Sequence, residues 1–438
     1  MAVRDSIRSR RVSTSEVGIA LIFFRFRYFL DRTSRTTHHE LHPLYAHDYQ
    51  EMRATMKRFA VPALAAAAVL GIAGCSGGSG GSTASGEMPS EITLFSVTDK
   101  TGTLSYAGSN QLKGIELAID EINDQKYLGE STVKLESRDT AGEAQTAASQ
   151  VTEATVNPNV AAILGTVTSA QSIAIAPLAQ AAKVPIVFTQ SGSEGTLVGE
   201  YTYRATAPMA TYYDQAGEYL QQEGVKTLGI LYNSANPTLT QLSEKTIPEM
   251  ADRFGYTVAS TSSVQNTTQD FTAPIAKILA DNPDGIAIMM NGAQNATAVS
   301  QLRQAGYDGT LVTHTGSGAG NLTPAGPAGA GMTWPTDFTY HGTNPATQEF
   351  VAAYRAKYNG ENPNNYAAEG YDAAWMIAHA IEKSGGASRE DIQNGLQQVV
   401  AEGFTGAEGD VTFEGNDMRV KGAVVQWNGT EEVLLSEK

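Results

Sequence analysis

Short apolar segments alternate with amphipathic segments over most of the chain from Glu91 onward. The stretch EITLFSV is a run of strand-forming residues, and SNQLKGIELAIDEIN then brings Leu112, Ile115, Ile119 and Ile122 near one face of a helix. The same order recurs in TVKLESRD with GEAQTAASQVTEATV and in VAAILGTV with SAQSIAIAPLAQAA, before the strand VPIVFTQS. This alternation predicts an α/β fold with a parallel sheet covered by helices on both faces.

A second series of similar size follows the first. TLGILYNSA leads into a predicted helix over 238–254, and DGIAIMMNG, AQNATAVSQLRQAG and TLVTHTGSG continue the alternation. Two tandem series predict two Rossmann-like, doubly wound lobes with a cleft between them. Because ligands of open parallel sheets sit at the carboxyl ends of the strands, we expect a ligand to be faced by the loops after Val97, Val167, Phe188, Leu231, Met290 and Thr313.

The last hundred residues read differently. The pattern predicts helices over 345–358, 365–384 and 388–400. It then predicts two strands around a turn that contains Gly415, Asn416 and Asp417.

The only cysteine, Cys75, follows a segment typical of a secretion signal. Lys57 and Arg58 precede an apolar run that is broken by Pro62 and is short for the roughly 30 Å hydrocarbon core of a bilayer. The residues IAGC, 72–75, resemble the bacterial lipobox, in which the signal is cut before the cysteine and the cysteine thiol carries a diacylglyceryl group. We therefore predict a lipoprotein signal peptide over 56–74, lipidation of Cys75 and a flexible Gly/Ser tether over 75–89; the alternative is a buried free cysteine in an Ala-rich helix.

Residues 1–55 have an unusual composition for this chain. They contain nine of its arginines and four of its seven histidines, and they precede a signal that should begin a protein. We interpret them as an over-extended start or a non-native leader, with translation beginning at Met56. A genuine cytoplasmic extension is the alternative.

Charge and residue types exclude several classes of function. From Cys75 onward the chain has 19 basic and 40 acidic residues, so it should repel phosphate backbones and bind no nucleic acid. One cysteine allows no internal disulfide and no cysteine-based metal cluster. His314, His341 and His379 are the only histidines after Cys75, and neither a G-x-S-x-G nor a Walker A sequence is present. We expect no enzyme activity, no cofactor and no metal.

Several stretches, in order, resemble type I periplasmic binding proteins of the branched-chain amino acid branch of ABC importers. They are TGTLSYAGSNQLKGIELAIDEIN, GTVTSAQSIAIAP, VPIVFTQSGSEGTL, YRATAPMATYYDQAGEYL, DGIAIMMNGAQNATAVSQLRQAGY and FTGAEGDVTFEGNDMRVKGAVVQW. The resemblance covers roughly residues 90 to 430. It implies an extracytoplasmic receptor, expected to be a monomer, that closes on a small solute by a hinge motion and delivers it to a membrane permease and its ATPase.

The resemblance also implies that the lobes are discontinuous and joined by three crossovers. We place these near Arg204–Ala207, Gly331–Asp337 and Thr405–Asp410. The first lobe then comprises 90–205 and 338–405, and the second comprises 206–330 and 410–438.

Candidate ligand-binding residues follow from the same resemblance. In amino-acid-binding members, the loops that correspond to GTVTSAQ and TQSGS supply hydroxyls and backbone N–H groups to the ligand carboxylate. The corresponding residues are Ser169, Ser191 and Ser193, with Thr168 and Gln171 nearby. Neutral donors at helix N-termini suit an anion, although Ser169 could equally serve as a helix cap.

An aromatic residue and the second lobe complete the candidate set. Tyr106 falls where a first-lobe aromatic covers the ligand. In the second lobe, YNSANPT, NGAQN and the residues after TLVT place Asn236, Asn291, Gln294 and His314 near the cleft.

One position departs from the family pattern. Amino acid binders usually have an acid just after the TLVT strand, and Gly316 stands there. A buried ammonium group without a carboxylate is unfavourable, so unless an acid comes from elsewhere, the solute can equally be an amino acid, an amide or urea-like compound, or a small carboxylate.

A ligand-sensing lipoprotein that signals to a membrane kinase is the alternative function.

Overall fold

The computed structural model describes residues 88–438, which form two α/β lobes around two separate sheets. The predictions for the leader, the signal peptide, Cys75 and nearly all of the tether lie outside the described residues. None of the helices within 88–438 combines the length and apolar character needed to cross a bilayer.

The first lobe contains an eight-stranded sheet in the order β11-β12-β13-β5-β4-β3-β1-β2. Its early strands are parallel and rich in Val, Ile, Leu and Phe because helices cover both faces of the sheet. They are β1 (Glu91–Thr98), β2 (Thr132–Asp139), β3 (Val160–Gly165), β4 (Ile186–Phe188) and β5 (Thr202–Arg204), with helices α1 (Ser105–Asp124), α2 (Ala144–Val156) and α3 (Ser169–Ala182).

The second lobe contains a seven-stranded sheet in the order β15-β14-β10-β9-β8-β6-β7. Its parallel strands are β6 (Thr227–Asn233), β7 (Thr257–Val264), β8 (Gly285–Met289), β9 (Thr310–Val312) and β10 (Met332–Thr336). Its helices are α4 (Asp214–Gln222), α5 (Pro237–Gln241), α6 (Ile247–Phe254), α7 (Thr272–Leu279), α8 (Gln294–Gln304) and the short α9 (Ala319–Leu322). A π-helical turn, Leu242–Thr246, joins α5 to α6, so the predicted helix 238–254 is nearly continuous.

The remaining chain returns to the first lobe before it ends in the second. Helices α10 (Pro345–Lys357), α11 (Asn365–Ser384) and α12 (Arg389–Glu402) pack on the first lobe, followed by β11 (Phe404–Gly406), β12 (Gly409–Glu414) and β13 (Asp417–Arg419). Strands β14 (Ala423–Trp427) and β15 (Glu432–Glu437) then extend the second sheet with antiparallel pairing. The two-lobed fold predicted from the alternating pattern is confirmed.

One of the predicted crossover positions needs correction. The second crossing begins at Asp337, within the predicted range 331–337, because β10 extends the second lobe to Thr336. The third crossing was placed at 405–410, but β11, β12 and β13 all belong to the first sheet. Strand β13 joins that sheet because Asp417 pairs with Arg204 of β5, and the chain therefore crosses at 420–422.

Helices α1 and α11 approach each other closely because glycines face the contact. A Cβ atom on Gly114 would lie 1.9 Å from the carbonyl oxygen of Ala367, and one on Gly370 would lie 2.4 Å from that of Gln111. Any larger side chain would push the helices apart. This contact fixes the N-terminal half of α11 beside the cleft between the lobes.

Candidate ligand site between the lobes

A cavity lies between the two lobes. Each of the six loops expected to face a ligand contributes to its wall, and α11 contributes as well. The polar residues that line it are Thr168, Ser169, Gln190, Thr206, Asn236, Thr238, Asn291, His314, Thr315, Asn365, Tyr366 and Glu369.

The N-terminus of α3 brings two predicted residues to the cavity. Thr168 caps the helix: its hydroxyl accepts from the backbone N–H of Gln171, while Oε1 of Gln171 accepts from the backbone N–H of Thr168. Ser169 lies 2.8 Å, between hydroxyl oxygens, from Thr238 of the second lobe.

Gln171 does not line the cavity. Its side-chain amide is buried and donates to Asp99 Oδ1 at 2.7 Å and to Thr140 Oγ1 at 3.0 Å. Gln171 therefore stabilises the loop and does not face a ligand, because its amide nitrogen and oxygen both have partners within the first lobe.

The loop after β4 turns its predicted serines away from the cavity. Ser191 lies behind Ser169, with its hydroxyl 3.2 Å from that of Ser169 and 2.6 Å from that of Thr196. Ser193 is buried outside the lining. Instead, Gln190 and Gly192 of the same loop reach the cavity.

The second lobe contributes amide side chains in a chain of hydrogen bonds. Asn236 caps α5 by accepting from the backbone N–H of Thr238 at 3.0 Å, and its amide donates to Asn291 Oδ1 at 2.9 Å. Gln294 lies behind this pair and outside the lining, where it accepts from Asn233 and donates to the carbonyl of Gln265.

His314 lines the cavity as an uncharged ring. Its Nδ1 accepts from the backbone N–H of Gly316 at 3.1 Å, which leaves Nε2–H to donate to the carbonyl of Met290 at 2.8 Å. Burial lowers the pKa of His314 to about 4, so the ring is neutral at pH 7.

Tyr106 lies beside the cavity and not within its lining. Its hydroxyl accepts from the amide of Asn364 at 2.9 Å, and its ring meets that of Tyr366 edge-on at 6.3 Å between centroids. The side chain packs on Gly320 of the second lobe, where any Cβ would clash with the ring. Together with the bond from the Tyr366 hydroxyl to the carbonyl of Gly316 at 3.2 Å, this contact closes the lobes on each other.

The most informative lining residue, Glu369, was missed by the sequence analysis. It lies one turn after Tyr366 on α11, and its side chain is 2 % exposed. Its carboxylate accepts from the Thr206 hydroxyl at 3.0 Å, from the Gln190 amide and from the Asn365 amide at 3.4 Å. The available signal was the presence of two acids, Glu369 and Asp372, within the largely apolar stretch YAAEGYDAAWMIAHA.

Three further buried acids lie near Glu369. Burial raises the pKa of Glu369 well above its usual range, and the negative charges of Asp337 and Glu408 raise it further. Burial also raises the pKa values of Asp337 and Glu408, and it raises that of Asp372 to about 7. The lining residues of the cavity include neither Lys nor Arg, so Glu369 is the lining group that can bring a charge to a ligand at neutral pH.

No metal site accompanies the cavity in the part of the chain that the structure describes. Within 88–438, no group of three or more His, Cys, Asp or Glu side chains is arranged to hold a metal ion.

The comparisons with known proteins agree with this architecture. The family model for periplasmic binding proteins matches residues 91–431. The Leu/Ile/Val-binding protein homolog 8 of Brucella abortus is 23% identical over 377 residues, covering 79% of this chain and 90% of the relative.

Solved structures share the fold. A leucine binding protein LivK from Thermotoga maritima is 26% identical with a TM-score of 0.71, covering 79% of this chain and 98% of the other. The branched-chain amino acid binding protein LivJ from Streptococcus pneumoniae, in complex with isoleucine, is 23% identical with a TM-score of 0.70 over 78% and 99% of the two chains. A solute binding protein from R. palustris in complex with benzoate has a TM-score of 0.72 at 17% identity, over 79% and 96%. With a family model matching most of its length and a cavity between two lobes, this chain belongs to the periplasmic binding protein family.

Proposed function

We propose that this chain is the extracytoplasmic solute-binding lipoprotein of an ABC importer. It takes up a small polar solute between its lobes and delivers the solute to a membrane permease. The observation that carries the proposal is the cavity at the carboxyl ends of both sheets, lined by polar groups of both lobes. A solute held there contacts both lobes at once, and its binding therefore stabilises the closed arrangement.

The proposal extends to the anchor. The signal-like segment, Cys75 and the Gly/Ser tether support a lipid-anchored receptor, and members of the same family bind small molecules in solved complexes. A Cys75→Ser variant should move from the membrane fraction to the soluble fraction of cells. A variant that stays with the membrane contradicts a lipid anchor at Cys75.

A thermal-shift screen tests solute binding directly. We expect at least one class among amino acids, amides, urea analogues and small carboxylates to raise the melting temperature, because a ligand that binds only the folded state stabilises it by mass action. Ser169→Trp should abolish the shift by filling the cavity. Ser149→Trp, on an exposed position of α2, is the matched control and should keep it.

Transport is tested by uptake. Cells that lack the gene should lose uptake of the solute found in the screen, and the wild-type gene should restore it. Unchanged uptake, together with tight binding in vitro, would instead favour the sensing alternative. A complete absence of thermal shift in protein freed of carried-over ligand would reject the receptor function.

A further inference from the structure

The cavity wall contains a carboxylate whose surroundings are neutral or acidic. Glu369 is almost fully buried and accepts hydrogen bonds from a threonine hydroxyl and two amides, Thr206, Gln190 and Asn365. These partners orient both carboxylate oxygens. None of them neutralises a negative charge.

The residues behind Glu369 increase the electrostatic cost of ionising it. Asp337 comes from the segment after β10, and Glu408 from the turn between β11 and β12. The carboxyl groups of Asp337 and Glu369 are hydrogen-bonded to each other, which requires a shared proton, and both oxygens of Glu408 are buried without a hydrogen-bond partner. An ionised carboxylate in such a place is strongly unfavourable unless a cation comes to it.

The rest of the cavity offers no competing positive charge. His314 is neutral because of its burial and its hydrogen bonds, and the other polar groups of the lining are hydroxyls and amides. A solute whose only charge is a carboxylate would face the acidic side chain of Glu369 and would find no cationic side chain in the lining. A solute with a protonated nitrogen would supply the partner that Glu369 lacks.

We propose that Glu369 binds a protonated nitrogen of the solute, so that the receptor selects amines, whether simple cations or zwitterions, over carboxylates that have no amine. This assignment rests on the proposed function, because it concerns the same cavity. It separates solute classes that the sequence left open. It also identifies α11, and not the loop that contains Gly316, as the source of the acid.

Binding of such a solute should release a proton. The raised pKa of Glu369 means that its carboxyl group holds a proton when the cavity lacks a cation. Arrival of the ammonium group favours the carboxylate, and the O–H proton leaves to solvent. Affinity for amines should therefore rise with pH, because fewer protons must be displaced. The titratable groups that interact with Glu369 from its surroundings are Asp337, Glu408, Tyr366 and Tyr212. Asp372 acts on Glu408, and His314 lines the same cavity.

Matched sets of solutes test the assignment by calorimetry. Each set contains an amino acid, the same molecule without its amine, and the same molecule without its carboxylate. Suitable sets begin with alanine, leucine and phenylalanine; the leucine set adds 4-methylpentanoate and 3-methylbutylamine. We expect the amine-containing members to bind and the acids without an amine to bind at least about 30-fold more weakly.

Variants separate recognition from folding. Glu369→Gln keeps the shape and removes the charge, and should weaken amine binding by at least about 30-fold while the ligand-free protein stays folded. Glu369→Asp should bind more weakly than the wild type but keep the preference for amines. Glu349→Gln, at an exposed position of α10, is the matched control and should leave binding unchanged.

Proton release gives a second readout. In buffers of different ionisation enthalpy, the wild type should release protons on binding an amine, and Glu369→Gln should not. If the receptor binds carboxylates or uncharged amides and ignores every amine, or if Glu369→Gln retains full affinity for amines, the assignment is overturned while the receptor function stands. If no solute of any class binds, the proposed function itself fails.

Discussion

Two buried ionisable side chains in this protein have opposite surroundings. Arg204 is 5 % exposed, and its Nε lies 2.7 Å from Oδ1 of Asp417, while its Nη1 donates to the carbonyls of Ser191 and Ser193 at 2.6 and 3.3 Å. Glu369 is as deeply buried but has only neutral donors around it. A charge whose partners are all within the chain holds structure together. A charge that borders a cavity without a counterion is available to a ligand.

The largest expected effect concerns the paired charge. Arg204→Met removes one of the two arginines that pair with Asp417 and leaves two loop carbonyls without their charged donor, so unfolding free energy should fall by about 3 kcal/mol or more. Urea denaturation measures it. Arg253→Met is the control, because Arg253 pairs with Asp214 at the surface and its loss should leave stability nearly unchanged. Equal losses for the two variants would contradict the structural role of Arg204.

A second test uses a buried acid that does not line the cavity. Glu432 accepts from the Thr339 hydroxyl at 2.6 Å, and burial raises its pKa to about 7 from an ordinary value of 4.5. The folded state therefore holds this proton more tightly than the unfolded chain, and its contribution to stability is lost as pH rises from about 4.5 to 7. Glu432→Gln should remove roughly 3 kcal/mol of that decline.

The measurement is urea denaturation at pH 5 and pH 8. Glu349→Gln, an exposed substitution on α10, should leave the difference between the two pH values unchanged. If Glu432→Gln lost as much unfolding free energy between pH 5 and pH 8 as the wild type, other groups would be responsible for that loss.

The third test asks what Glu369 does to the protein without ligand. Because a buried acid without a counterion lowers stability at high pH, Glu369→Gln should raise unfolding free energy at pH 8 by about 1 to 3 kcal/mol while it weakens amine binding. Opposite signs for stability and binding would distinguish Glu369 from Arg204, whose loss harms stability. If Glu369→Gln lowered the unfolding free energy, Glu369 would, like Arg204, serve to stabilise the fold.

The smallest effect concerns a hydroxyl contact between the lobes. Thr238→Val removes the hydrogen bond to Ser169, and should weaken solute binding by up to about tenfold through loss of one bond of about 1 kcal/mol in the closed state. Thr240→Val is the matched control on the same helix, because the Thr240 hydroxyl is buried without a partner. Equal effects of the two substitutions on affinity would argue against the contact.

Much of the fold could be predicted because its strands and helices follow from local patterns of apolar and polar residues. The alternation of apolar strands and amphipathic helices predicted both sheets, and the ends of the strands predicted the loops that line the cavity. The third crossover was misplaced because the pairing of β13 with β5 joins Asp417 to Arg204 across more than two hundred residues. Nothing near Asp417 in the sequence indicates that partner.

The candidate site was harder to predict at the level of single side chains. Thr168, Ser169, Asn236, Asn291 and His314 line the cavity, whereas Tyr106, Gln171, Ser191, Ser193 and Gln294 lie beside or behind it. The sequence places a residue in a loop but does not reveal which way its side chain turns. In this protein, hydrogen bonds within each lobe determine whether a side chain faces the cavity. The sequence analysis missed Glu369 because this residue lies in α11, a helix that reaches the cleft only after the chain has returned to the first lobe.

The glycine contact between α1 and α11 limits how this receptor can change its specificity. With backbone against backbone at Gly114 and Gly370, the wall that carries Glu369 has no room to shift toward or away from a solute. Evolution, or an engineer, must therefore alter the cavity by exchanging side chains on that wall or by remodelling the loops of the second lobe. The packing of α1 against α11 fixes the position of Glu369, whereas the shape of the cavity around it can still be changed.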